Sequence, residues 1–209
     1  MNLIDINFIL SELKKKRKIF TSEADFQLEL AWIIKTEYPQ AEIRLEYCPT
    51  FNSNMHIDIL VIINGKWIPI ELKYKTKACT KTIGSLKYNL KTHGAKNINC
   101  YLYLNDIQRI EHVKSKSEAF VEGYTIFITN DSSYLTPPQR SNCSYASFSV
   151  HQNRTIKKGQ KNWNENYLLK KSKYPSITLK NNYNISWDVF SKIDNTDTGT
   201  FWCLVNTIK

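Results

Sequence analysis

The chain has 209 residues, of which 42% are hydrophobic and 23% charged, with a formal net charge of +10 and a sequence pI near 9.3. That composition is too apolar for a disordered chain and large enough for one well-buried domain, and it holds no apolar run long enough to cross a bilayer. The excess of Lys and Arg favours a polyanionic partner such as nucleic acid, although basic codon bias gives the same signature.

The N-terminal segment MNLIDINFILSELKKKRK predicts a short helix over 5–18 whose basic end follows the apolar stretch, the wrong order for a secretory signal. Lysines at a helix C-terminus complement the dipole, and a phosphate-contacting arm is the alternative. Thr21 and Ser22 offer N-caps for a second helix running to about Tyr38 and stopped by Pro39. EIRLEY at 42–47 alternates like a half-buried strand. IDILVII at 57–63 and KWIPIELK at 66–73 are strands joined by Asn64-Gly65, a strong hairpin signal.

Residues 74–97 are expected to form a polar, basic loop around a short helical piece. Over 98–115, Cys100, Tyr103, Leu104, Ile107 and Ile110 recur at helical spacing, and YTIFIT at 124–129 reads as a strand buried on both faces. Beyond Pro137-Pro138, strands are expected over 145–151, 176–180, 185–190 and 200–205. The chain thus divides into an N-terminal helix with a basic end (1–19), an α/β core with a mixed sheet (20–136), and a β-rich C-terminal extension packed on that core (137–209).

Strand geometry singles out the candidate site. If Asn64-Gly65 forms a two-residue turn, Ile63 faces Lys66, and counting outward sets Asp58 opposite Glu71 with Lys73 on the same face. Opposed residues have Cβ atoms roughly 4.5–5.5 Å apart. Two carboxylates so placed repel unless a cation lies near, and oxygen ligands suit Mg2+, with Mn2+ as a substitute. The Leu72 carbonyl is a further candidate ligand, and a solvated ion cluster at a sheet margin is the alternative. On the first core helix Glu23 and Gln27 fall in the arc with Leu30 and Ile34, so Glu23 is a third candidate acid, or else a wet residue stabilising the helix dipole. Asp25 and Glu29 fall on the expected solvent side.

Taken together, Glu23 on the first core helix, Asp58 on a strand, Glu71-Leu72-Lys73 on the next strand and the α-β-β-β-α-β order resemble the PD-(D/E)xK, or restriction-endonuclease-like, nuclease superfamily. The segments SEADFQ, IPIELK and YTIFITND are similar to a bacterial branch of it, and the aspartate follows Ile57 rather than proline. The resemblance covers about residues 20–131. It implies a restriction-endonuclease-like core and a Mg2+-dependent endonuclease, a phosphodiester hydrolase acting on DNA in preference to RNA, in defence or DNA processing. Asp58 and Glu71 would ligate the metal, Lys73 would position the nucleophile or support the transition state, and Glu23 would bind a second ion or orient water. Gln27 would support these groups from one remove. A silent nuclease-like fold that only binds nucleic acid, or an assembly subunit, is the competing reading.

For nucleic-acid contact the candidates are Lys75, Lys77, Lys157, Lys158, Lys161, Lys170 and Lys171. The last five lie, with Arg154, Trp163 and Tyr167, in a stretch mixing cations and aromatics that either grips nucleic acid or is a solvated loop with its aromatics on the core. Five dispersed cysteines (48, 79, 100, 143 and 203) argue for reduced thiols and a cytoplasmic protein, and neither they nor the four histidines have zinc-site spacing. No membrane association is expected, and a homodimer or a partner subunit is left open.

Overall fold

The hairpin at Asn64-Gly65 organises the molecule. In the computed structural model, which describes residues 3–140, 142–164 and 173–209, both turn residues have positive φ (51° and 71°), as a type I′ turn requires. The strands it joins, β2 (Ile57–Ile63) and β3 (Lys66–Lys75), pair in the register counted from the sequence, from Ile63↔Lys66 to Ile59↔Ile70. Leu60 faces Pro69 without a bulge. Beyond these, β1 (Glu42–Tyr47) flanks β2, and β6 (Gly123–Thr129) lies parallel to β3. A return strand β12 (Thr200–Ile208) and an edge strand β11 (Trp187–Lys192) complete a mixed six-stranded sheet in the order β1-β2-β3-β6-β12-β11.

Helices cover both faces. On one side α1 (Ile6–Lys16) and α2 (Glu23–Glu37) bury Leu13, Phe26, Leu30 and Ile34 against Ile70, Leu72 and Tyr74 of β3. On the other, α3 (Lys96–Lys116) buries Tyr103, Leu104 and Ile107 with Phe127 and Leu204. Alternation along β3 therefore sends Ile70, Leu72 and Tyr74 toward α1 and α2, and Glu71 and Lys73 toward α3. Gly123, at the start of β6, is required by packing: a Cβ there would meet Ile110 Cγ2 at 2.4 Å and Pro69 O at 3.1 Å.

The structure departs from the sequence reading in three places. Residues 74–97 hold a β-hairpin, β4 (Cys79–Ile83) and β5 (Leu86–Leu90), turning at Gly84 with φ 59°, and no helical piece before α3. Residues 145–151 are not a strand, because a 3-10 turn at Ala146–Phe148 places Phe148 in the core. Asp25 and Glu29 do not face open solvent but pair with Arg17 beyond the end of α1 (Asp25 Oδ2 at 2.8 Å), leaving Leu28 and Trp32 exposed instead. Elsewhere in the last third, β7 (Thr155–Ile156) pairs with β10 (Tyr183–Asn184), and β8 (Gly159–Lys161) with β9 (Ile177–Leu179). All five cysteines are free thiols, and among the described residues no helix is long and apolar enough to cross a membrane.

Candidate active site

The β2–β3 ladder stops one step short of Asp58. In this register Asp58 and Glu71 would be a pair without mutual backbone hydrogen bonds, and the Leu72 N–H would turn to the Ile57 carbonyl; the Asp58 carboxylate takes that place, its Oδ2 accepting from the Leu72 backbone N–H at 2.6 Å. Its own carbonyl accepts from Gln27 Nε2 at 2.6 Å, and Gln27 also donates to Glu46 Oε1 at 2.7 Å. Gln27 therefore ties α2 to the backbone that carries Asp58. Glu46 lies between residues paired with Ile57 and Ile59, and its backbone is left-handed (φ 50°), so β1 is distorted opposite Asp58. Burial holds the Asp58 carboxyl up at a pKa of about 6; the Leu72 N–H and Lys73 only partly offset it.

Glu71 is 1% exposed, and neither of its carboxylate oxygens accepts a hydrogen bond from a described residue. Arg109 Nη2 stands 3.2 Å from Glu71 Oε1, an ion-pair contact without hydrogen-bond geometry. Burial first, then Asp106 and Asp58, push the Glu71 carboxyl well above the usual carboxylate range, against the pull of Arg109 and Lys73. A buried acid lacking donors is costly, so this position is unusual among the buried polar groups.

Lys73 Nζ donates to the Leu72 carbonyl at 3.1 Å and pairs with Asp106 Oδ2 at 2.6 Å. Burial alone would lower the Lys73 pKa; Asp106 and Glu23 more than offset it, and the ammonium is held above its usual value. Asp106 is itself buried, which raises its carboxyl against the opposing pull of Lys73 and Arg109. Arg109 completes the group: Nη1 is 3.6 Å from Asp106 Oδ1, and Nη2 donates to the His56 carbonyl. Three carboxylates (Asp58, Glu71, Asp106) thus share two cations (Lys73, Arg109), leaving one negative charge uncompensated when all are ionised.

Glu23 makes no direct contact with these side chains, although its charge is near enough to help hold Lys73 protonated and to raise the Asp58 and Asp106 carboxyls. Its Oε2 accepts from the Tyr74 backbone N–H at 2.7 Å and from Lys75 Nζ at 2.8 Å. The physical reason is the layer order: α2 lies on the sheet face away from Glu71 and Lys73, so the hydrogen bonds of Glu23 go to the end of β3. Among the described residues, no group of three His, Cys, Asp or Glu side chains converges as a metal cage. The donor set that remains is Asp58, Glu71 and the Leu72 carbonyl. These groups could hold a hard divalent ion that keeps much of its water, because all three present oxygen and, among the described residues, neither Glu71 oxygen has a hydrogen-bond donor.

Asp106 and Arg109 escaped the sequence reading. Their signal was a charged residue inside an apolar arc: Asp106 follows Tyr103 by three and precedes Ile110 by four, the positions that α3 buries. Of the expected phosphate contacts, Lys75 is tied to Glu23 and Lys77 to Asp131 at 3.1 Å, while Lys157 and Lys158 are exposed and Lys161 is half-buried. Arg154 and Trp163 turn inward instead. The Arg154 guanidinium donates to the carbonyls of Ala146, Ser147 and Ser149, and Trp163 packs between Tyr101 and Phe148. Lys170, Lys171 and Tyr167 lie outside the described residues. Compared with protein-family models, curated proteins and solved structures, the chain has no match.

Proposed function

We propose that the chain is a metal-dependent nuclease, a phosphodiester hydrolase with Asp58, Glu71 and Lys73 at its centre, on a core of restriction-endonuclease-like type. The observation that carries the proposal is Glu71, a wholly buried carboxylate beside Asp58 that has no hydrogen-bond donor among the described residues, in a cluster short of positive charge. Such an arrangement is destabilising in a protein that has no use for a cation there. The α-β-β-β-α-β order from α2 to β6, with the β4–β5 hairpin inserted before α3, supports the choice of fold family.

A bound Mg2+ or Mn2+ supplies a Lewis acid that orients the attacking water and stabilises charge on the scissile phosphate. Asp58 and Glu71, with the Leu72 carbonyl, are the residues that would hold it. Lys73, kept protonated by Asp106, offers a fixed positive charge to the phosphate oxygens as negative charge accumulates. Gln27 fixes the backbone of Asp58, and Glu23 anchors the end of β3 through Tyr74 and Lys75. The net charge of +10 favours nucleic acid as substrate; DNA before RNA, and a role in defence or DNA processing, follow from the restriction-endonuclease-like reading and not from the charge.

The second reading, a nuclease-like fold that binds nucleic acid without cutting, is favoured by one observation: Arg109 already provides Glu71 with a cationic neighbour. The two separate when the protein is incubated with plasmid, linear and single-stranded DNA and with RNA under Mg2+, Mn2+ or EDTA. A nuclease cleaves at least one substrate with metal, stops on chelation, and loses cleavage but not binding in Asp58→Ala and Glu71→Ala. Wild-type rates in both variants would refute the site. Salt-sensitive binding without products, in every metal and on every substrate, would favour the second reading.

A further inference from the structure

Arg109 faces two ways. On one side its guanidinium compensates Glu71 and Asp106. On the other it lines a cavity of about 490 Å³ between α3, the segment around Asn52 and Met55, and β9. That volume is in the range of small-ligand sites. Besides Arg109, its wall carries His112, the exposed Lys180, the hydroxyls of Ser176 and Thr178, and the Asn52 amide. These are cations and hydrogen-bond donors of the kind that hold phosphate. Among the described residues the one acid on the wall is Glu111, which accepts from the backbone N–H groups of Lys180 and Asn181 and from the Tyr183 hydroxyl. Its single negative charge is outnumbered on that wall by those of Arg109 and Lys180.

Charge counting gives Arg109 a reason to move. With Arg109 in place, three carboxylates face two cations. Without it, Asp58, Glu71 and Asp106 face Lys73 alone and leave two negative charges, the complement of one divalent ion. Arg109 is also the least buried cation of the cluster, with a side chain 27% exposed against 12% for Lys73, so its release costs less desolvation and packing.

Resting on the metal-dependent reading above, we propose that Arg109 is a switchable contact: it compensates Glu71 in the absence of metal, and once a divalent cation takes over that charge it turns to a phosphate of nucleic acid in the adjoining cavity. The cavity is then a subsite for a nucleotide neighbouring the scissile bond, opened to phosphate by metal occupancy.

The test is Mn2+ titration by calorimetry on the wild type, Arg109→Gln and Arg109→Lys, each checked for a cooperative melt. Removing one positive charge next to the site tightens Mn2+ binding by roughly tenfold in Arg109→Gln, while Arg109→Lys, which keeps the charge, stays within about threefold of wild type. A parallel titration uses a short single-stranded oligonucleotide in Ca2+ or in EDTA. Arg109→Gln weakens binding by roughly five- to tenfold in Ca2+ and leaves it unchanged in EDTA. Mn2+ affinity that is unaltered or weaker in Arg109→Gln, or an oligonucleotide loss of the same size with and without Ca2+, overturns the switch while leaving the metal site standing. Failure of all three proteins to bind Mn2+ overturns the metal-dependent reading itself, and the switch with it.

Discussion

Replacing Asp58 by asparagine should stabilise the metal-free protein while abolishing its catalysis. The carboxyl rises from its ordinary value of 3.8 to about 6 because it is buried. At about 1.36 kcal/mol per pKa unit, ionised Asp58 costs the folded state about 2–3 kcal/mol at neutral pH. The sign follows from proton counting: between the two pKa values the folded state binds more protons than the unfolded one. Stability therefore falls as pH rises from about 4 through 6 and levels off above it. Asparagine keeps an oxygen that can accept from the Leu72 N–H but carries no charge. It should raise the melting temperature at pH 7.5 in EDTA by several degrees, on the order of 2–4 °C per kcal/mol for a chain of this size, and by much less at pH 4. Thermal melts of wild type and Asp58→Asn across pH 4–8, with and without Mg2+, measure this, and Mg2+ should stabilise only the wild type. A variant less stable than wild type at pH 7.5 would refute the claim that Asp58 is a destabilised, unneutralised charge.

Other consequences are open to direct measurement. Lys73→Met leaves the buried Asp106 with only Arg109, 3.6 Å away, and should lower stability by about 3 kcal/mol, whereas the double variant Lys73→Met, Asp106→Leu should recover most of that in urea unfolding. Both should be inactive, since the ammonium is lost in each. Gly123→Ala must displace Ile110 or Pro69 and should cost about 1–3 kcal/mol in the same assay, with no effect specific to metal. If the chain binds nucleic acid as proposed, affinity should fall steeply with salt, with a log–log slope that becomes shallower by about one when an exposed candidate such as Lys158 is replaced by Ala.

The hairpin was legible because two independent signals agreed: a turn dipeptide needing positive φ at both positions, and apolar runs whose alternation fixes the register. The same count set Asp58 against Glu71, but it could not show that the Asp58 carboxylate replaces a ladder hydrogen bond at Leu72. Glu23 illustrates a different limit. The helical wheel found the arc of α2 that meets the sheet, but one helix cannot tell which face of the sheet it covers. That choice sends Glu23 to Tyr74 and Lys75 rather than to Glu71. Asp106 and Arg109 were hidden because an amphipathic pattern is read from its apolar members, and two charges within it look like noise until a buried lysine on β3 is seen to need one of them. The β4–β5 hairpin was obscured by its polarity: Thr80, Lys81 and Thr82 read as loop, yet Lys81 is buried through its 2.7 Å ion pair with Asp194, far along the chain.

The most direct test of the account is to locate the cation by diffraction. Crystals grown in Mn2+ should show an anomalous peak within coordination distance of Asp58, Glu71 and the Leu72 carbonyl, and Glu71→Gln should abolish it. Glu71 still held against Arg109 in saturating Mn2+, with no peak beside it, would contradict the proposal that this cluster is a divalent-ion site.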